Sequence, residues 1–455
     1  RLDSVFFNTD LRVNEDATVN GAGTIALSNR AANRIYGATG AERLTIGAGQ
    51  SIVGAGQIGL PGSNRLAVTN QGTIAAAGSN GLRLDMDGAA GAFANHGGLL
   101  EVRDGSFMRF VSGRFEGGTL RGLAADSQVE GSVAATLAGM NWEGTLTLRD
   151  GEGVGIGGTF SNTGTFRLNS VFFNTDLRVN EDATVNGAGT IVLSNRSANR
   201  IYGATGAERL TIGSAQTLRG AGQLGVNLLK ITNQGTIIAD QSNALTVNPT
   251  GADPLHNQGT VRVETGSQMT VSGSNLLQDA SGAQTTVRGT LTVPQVDLVA
   301  GVLGGTGTIV GAVVNSGGIV APGASPGKLV IQGNYTQGAT GTLAIEIDGT
   351  GQGTSHDWLS VTGNAVLDGT LSLTFGYTPT PGTSYVILTT GSGTVSGTFT
   401  DIVRPAGWNV FATYHAKDVT LTVAAVPEPA TYALLGIGLA VVGAAARRRR
   451  AGTAT

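Results

Sequence analysis

One long block occurs twice in this chain. Residues 1–59 recur at 167–225, with about 50 of the 59 positions identical. The run Ser4-Val5-Phe6-Phe7-Asn8-Thr9-Asp10-Leu11-Arg12-Val13-Asn14 returns unchanged as Ser170 to Asn180. An enzyme active site is not normally copied whole inside one chain. A solenoid gains coils in this way without disturbing its core, because each repeat touches only its neighbours.

A finer repeat runs through and beyond these blocks. Asn-x-Gly-x-apolar occurs at Asn70-Gln71-Gly72-Thr73-Ile74, Asn162-Thr163-Gly164-Thr165-Phe166, Asn233-Gln234-Gly235-Thr236-Ile237, Asn257-Gln258-Gly259-Thr260-Val261 and Asn315-Ser316-Gly317-Gly318-Ile319. Asn95-His96-Gly97-Gly98-Leu99 is a looser copy, and Gly-x-Gly-x-apolar signals stand at Gly21, Gly54, Gly187, Gly220 and Gly305. Asn and Gly tolerate φ > 0 and so predict a sharp corner, followed by a Thr- or Val-rich strand. Leu343, Ile345 and Ile347 alternate with Ala344, Glu346 and Asp348. Leu371 with Leu373 and Phe375, Leu291 with Val293, and Val419 with Leu421 and Val423 alternate in the same way. Period two means strands with one face inward.

Corners at intervals of about 20–25 residues, with short strands between them, predict an all-β parallel β-helix. Coils of about 24 residues over roughly 400 would number about 17, a rod of about 80 Å at about 4.8 Å per rung. Stacked β-sandwiches are the alternative, but they carry turns about every 8–12 residues and a few large aromatic core positions. Aromatics are only 5% of this chain, against 73 glycines. There is no cysteine, which excludes disulfides, thiolate catalysis and Cys-ligated metal. The net charge of −3, with only Lys230, Lys328 and Lys417 as lysines, predicts no pull toward nucleic acid.

The C-terminus is different in kind. Val426-Pro427-Glu428-Pro429 predicts an extended stretch. Residues 430–446 carry no charge and Arg447, Arg448, Arg449 and Arg450 follow directly. That stretch predicts a transmembrane helix at the short end for spanning, with a buried core helix as the alternative. The arginines put residues 1–425 on the far side of an inner membrane. Motif, apolar helix and basic cluster together resemble the PEP-CTERM sorting signal. The resemblance implies that an exosortase-type membrane enzyme processes the chain near the motif, in a Gram-negative bacterium that makes extracellular polysaccharide. It also implies that Pro427, Glu428 and Pro429 are the recognition residues. The chain opens at Arg1-Leu2-Asp3 with no charged-then-apolar leader, so a signal peptide is expected upstream.

Residues 301–424 differ in detail from 1–300. They carry Pro322-Gly323-Ala324-Ser325-Pro326-Gly327, Gly333-Asn334-Tyr335-Thr336-Gln337 and Asp357-Trp358-Leu359-Ser360-Val361-Thr362-Gly363. This run resembles the C-terminal passenger region of autotransporters, which implies a β-helical fold. No barrel follows it, since 425–450 is the sorting segment and 451–455 a short tail. The autotransporter secretion route therefore does not carry over.

Residues with chemical capacity are scattered. His96, His256, His356 and His415 have no ligand spacing. His356-Asp357 reads as a solvated loop before a strand at Trp358. Asp85 and Asp87, at i and i+2 in Arg83-Leu84-Asp85-Met86-Asp87-Gly88, read as a solvated strand face rather than a calcium site, since no third ligand follows. The glycine pairs open no helix after a strand, so phosphate binding is not supported. No catalytic residue, metal or cofactor is expected. The reading is an exported, non-enzymatic surface or matrix protein, structural or adhesive, anchored transiently in the inner membrane, with extracellular polysaccharide as a candidate partner. The alternative is a β-helical polysaccharide lyase or hydrolase, which would need carboxylates clustered along one groove.

Overall fold

The computed structural model describes residues 1–62, 65–86, 93–425 and 429–451. Its strands are short because each Thr- or Val-rich run is cut by the next Asn or Gly corner. One coil consists of Lys230–Asn233, Thr236–Ala239 and Leu245–Val247, and the next of Leu255–Asn257, Thr260–Val263 and Gln268–Val271. The second lies on the first, parallel and in register: Ile231 on Leu255, Ile237 on Val261, Leu245 on Met269. Each coil gives one strand to each of three parallel faces. The fold is therefore the expected parallel β-solenoid.

Coil length varies. On one ladder Ile231, Leu255, Leu276, Val296, Val313, Tyr335 and Ala365 stand over one another. The shortest coil on it runs from Val296 to Val313 and the longest from Tyr335 to Ala365. This ladder crosses residue 300 without a break. The alternating residues point inward as their period requires: Leu343, Ile347, Leu371, Leu291, Val419, Leu421 and Val423 are fully buried, and Phe375 is half-buried at the rim. Each such aliphatic side chain contributes about 1.5–3 kcal/mol on burial. Aromatics also stack along the axis, with the Trp142 ring 4.3 Å from Phe166 and 4.7 Å from Phe160.

The Gly-x-Gly corners hold as the sequence suggests, with positive φ at Gly21, Gly54, Gly187, Gly220 and Gly305, but the Asn-x-Gly corners hold for a different reason. Asn70, Asn95, Asn162, Asn233, Asn257 and Asn315 are all fully buried. None has positive φ; among the described residues the non-glycine exceptions are Val226, Asn227 and Ser325. The asparagines act through their side chains. Asn233 Nδ2 donates to Asn257 Oδ1 (2.9 Å), and Asn257 Nδ2 donates to Gln278 Oε1 (3.1 Å) and to the Gln284 carbonyl (3.2 Å). The first half has the same link, Asn70 Nδ2 to Asn95 Oδ1 at 2.7 Å. The amides form a ladder that satisfies buried corner groups water cannot reach. The accompanying glycine is needed for close approach: a Cβ on Gly259 would lie 2.2 Å from the Gly235 carbonyl oxygen.

The two copies of the duplicated block do not sit on the same face. Starting from Thr9–Val13, one ladder climbs through residues 33–37, 55–58, 82–85, 107–110, 128–131, 145–148 and 165–168, which is seven rungs. Its next rung is residues 190–193, the copy of 24–27. The copy of Thr9–Val13, residues 175–179, stands on the neighbouring ladder, which leads back through 153–156, 136–138, 115–116, 93–94, 68–69 and 44–45 to Ala17–Val19. The step from the first block to the second is thus seven coils and one face. The block tolerates this turn because all three faces ask the same thing of it, an apolar residue at every second position.

The solenoid ends in an antiparallel cap. Asp418–Ala425 pairs with Ser384–Thr390 on one edge and Trp408–Tyr414 on the other. After it comes a helix, Pro429–Ala451. Among the described residues no helix is long and apolar enough to cross a membrane. The expected transmembrane helix at 430–446 is therefore corrected to a short apolar one. At about 1.5 Å per residue the uncharged stretch is about 25 Å long, against a hydrocarbon core of about 30 Å. The arginines take the last turn of the helix.

Asn257→Ala should destabilise the coils around residue 257 by about 1–3 kcal/mol, since it leaves buried partners unsatisfied. Gln258→Ala, on a half-exposed neighbour, should stay within about 0.5 kcal/mol. Denaturant unfolding of the two variants checks this.

Candidate functional site

The sorting segment starts where the cap ends. Pro427 and Glu428 lie outside the described residues. Pro429 opens the helix, where a proline costs no hydrogen bond and its fixed φ suits the first turn. Arg447 is exposed, and Arg448, Arg449 and Arg450 continue the same helix, where cations complement the C-terminal end of the helix dipole. Ile437, Leu439, Val441 and Val442 are 60–67% exposed, so this stretch of helix presents apolar side chains to its surroundings.

On the body, polar groups gather at the Pro-Gly-Ala-Ser-Pro-Gly loop. A cavity of 370 Å³ there is lined by Pro322, Ser325, Glu346, Asp357 and Thr374 among others. His356 and Asp357 are 2% and 4% exposed, so the expected solvated loop is corrected to a buried one. They do not form a dyad. The His356 ring nitrogens face the carbonyls of Gly349 (3.2 Å) and Val386 (3.3 Å), with Tyr385 edge-on at 5.3 Å. Asp357 Oδ1 accepts from the Gly327 N–H and Oδ2 from the Glu346 N–H, both at 2.8 Å. It therefore staples the loop to the strand Thr342–Ile347. Ser325, held at φ 82°, donates its hydroxyl to Glu346 Oε1 at 3.2 Å. Burial pushes the Asp357 carboxyl up to about 6, against the pull of the two N–H donors and with added repulsion from Glu346 and Asp348.

The Asp85 reading also changes. Asp85 is 2% exposed, ion-paired to Arg83 at 2.9 Å, and accepts from the Ser112 hydroxyl at 2.8 Å, so it is not on a solvated face. Asp87 and Gly88 lie outside the described residues. Among the described residues no group of three or more His, Asp or Glu side chains is placed to hold a metal ion. Many of the acidic side chains face arginines instead, often one coil away. Glu130 is gripped by Arg109 and Arg149, and Glu152 by Arg109. His256, isolated in the sequence, meets Asp279 at 2.7 Å. The two stand one coil apart, and that spacing is the signal that finds the pair.

Comparison with known proteins adds one match. Residues 425–450 match the PEP-CTERM protein-sorting motif, so the chain carries that motif on a β-solenoid body. The motif marks an exported protein and implies processing by an exosortase-type enzyme. No curated protein matches the chain.

The folded-state carboxyl of Asp357 lies above its ordinary value of 3.8, so the protein gains stability from this group as pH falls from about 7 toward 4 and loses it as pH rises through about 6. Asp357→Asn should flatten that part of the profile. Thermal unfolding of both proteins at pH 4 and pH 7 measures it.

Proposed function

We propose that this chain is an exported, non-enzymatic surface or extracellular-matrix protein, structural or adhesive, delivered by its C-terminal motif in a Gram-negative bacterium. The observation that carries the reading is the union of the sorting motif with a solenoid body in which many carboxylates face arginines of nearby coils. Pro427, Glu428 and Pro429 are the residues the processing enzyme recognises. The apolar helix seats the precursor at the inner membrane without crossing it, and Arg447–Arg450 stand at its end. Its length of about 25 Å suits a temporary seat rather than a permanent one.

Extracellular polysaccharide is the proposed partner of the body. Thr145, Thr165, Thr190, Thr217, Thr236 and Thr260 stand in register on one outer face, all half-exposed. They form a column of hydroxyls at about 4.8 Å intervals, suited to many weak hydrogen bonds along an extended polymer.

Deleting residues 426–455 should move the protein between membrane, surface and culture-medium fractions, read by immunoblot; an unchanged distribution overturns the sorting claim. Purified protein should leave a panel of neutral and acidic glycans uncut, and any cleavage would return the lyase or hydrolase reading.

A further inference from the structure

Four of the chain's 13 phenylalanines stand in solvent on two turns of identical sequence. Phe6 and Phe7 are 89% and 86% exposed, and Phe172 and Phe173 are 83% and 67% exposed, with Val5 and Val171 beside them. A single exposed apolar side chain needs no explanation, but adjacent rings on a fixed turn do. Buried Ser4 fixes the first turn, donating its N–H to Asn33 Oδ1 (3.1 Å) and its hydroxyl to the Phe7 carbonyl (2.7 Å). Ser170 does the same with Asn199 (3.0 Å) and Phe173 (2.8 Å). In the second copy Asp150, from the preceding coil, also accepts from the N–H groups of Val171, Phe172 and Phe173 at 2.8, 3.1 and 2.9 Å. That copy has coils on both sides and its rings are still exposed, so exposure belongs to the turn and not to a chain end.

The two turns project from different corners of the rod. They precede strands on different ladders, seven coils and one face apart, or about 35 Å along the axis at about 4.8 Å per rung. A flat surface cannot meet both at once. The same chain offers a receptor of matching character. On the outer face crossed by Gln284–Val287, Val302–Gly305 and Ile319–Pro322, a cavity of 240 Å³ has a floor of Val302, Ala321, Ala324 and three glycines, with Gln284, Thr286 and Arg288 contributed by the first strand and its end. It is low because glycine and alanine leave the sheet bare.

We propose that the Phe-Phe turns dock into this cavity on a second copy of the chain. Such a contact is heterologous and does not close on itself, so it builds open assemblies. Two rings bury about 150–250 Å² each, well short of the roughly 800 Å² per partner of a standard interface. One contact is too small to hold a dimer. Two turns per chain, aimed at different neighbours, give weak multivalent association that rises with concentration. The proposal goes beyond the export reading and does not depend on where the protein is delivered.

The test is sedimentation velocity of the full chain from micromolar to millimolar concentration, with electron microscopy of the concentrated samples. The parent protein should grow into larger species. Phe172→Ser with Phe173→Ser should shorten them, and adding Phe6→Ser and Phe7→Ser should leave monomer. Ala321→Arg and, separately, Val302→Arg fill the cavity, and either one that stays folded by circular dichroism should also be monomeric. A parent protein that stays monomeric throughout overturns the proposal. So does a four-serine variant that associates like the parent, or cavity variants that do so. Binding to lipid vesicles or glycans that the serine variants lose and the cavity variants keep would assign the rings to those partners instead, and also overturns it.

Discussion

The corner is where this fold is decided. Each coil must turn three times while its backbone lies one strand spacing, about 4.8 Å, from the coils on either side. At that distance a corner peptide sees no water, and a side chain pointing along the axis has no room. Asn-x-Gly answers both demands. The glycine removes the Cβ that would strike the carbonyl below, as at Gly259 over Gly235. The buried amide bonds upward and downward, as Asn257 does between Asn233 and Gln278. Leu298 takes the same ladder position between Gln278 and Asn315, so an apolar rung is tolerated where neighbouring amides find carbonyls instead. Once the corners stack, strand length and the inward set of Leu, Ile and Val follow.

Much of this is legible in the sequence because both signals are local. Alternation in Leu343-Ala344-Ile345 or Val419-Thr420-Leu421 reports a face directly, and the recurring Asn-x-Gly reports a corner. What is not legible depends on wrapping. Buried asparagines and glycines without positive φ give the same letters as an ordinary turn, so in the sequence the amide ladder looks like backbone flexibility. Coil length changes along a single ladder, short from Val296 to Val313 and long from Tyr335 to Ala365. That variation hides the fact that the duplicated block returns after a non-integral number of coils. His356 and Asp357 are neighbours in the chain and look like one solvated unit. Their strand start is folded under other chain, and each side chain serves distant backbone groups, from Gly349 and Val386 to Gly327 and Glu346. The sorting motif is legible because its parts lie within the single span 425–450.

The distribution of charge follows the stacking of the coils. Arg34 meets Asp10 and Arg200 meets Asp176 through the same paired contacts in both copies of the block. Arg121 meets Glu143 and Arg219 meets Asp240 across adjacent coils. Exposed pairs of this kind are worth little individually, about 0–1 kcal/mol. Their geometry matters more. Each such contact ties one coil to the next. Asp357 is the exception in its proton affinity, yet both of its oxygens are occupied by backbone N–H groups. Its raised affinity is therefore a cost of the staple, set by burial.

The sealed end of the rod ties body and tail together. An open sheet end exposes unpaired backbone and core side chains, and here Asp418–Ala425 covers it from the middle of three antiparallel strands with Val419, Leu421 and Val423 buried beneath. The helix begins at Pro429, four Cα steps beyond Ala425, a reach of at most about 15 Å. Any surface or enzyme that takes the helix therefore meets the folded cap almost at once. Unzipping the last strand to gain more length would uncover the core it closes. The buried set of the last strand ends at Val423, before the tail begins, so binding or removal of the tail by the sorting machinery need not disturb that core.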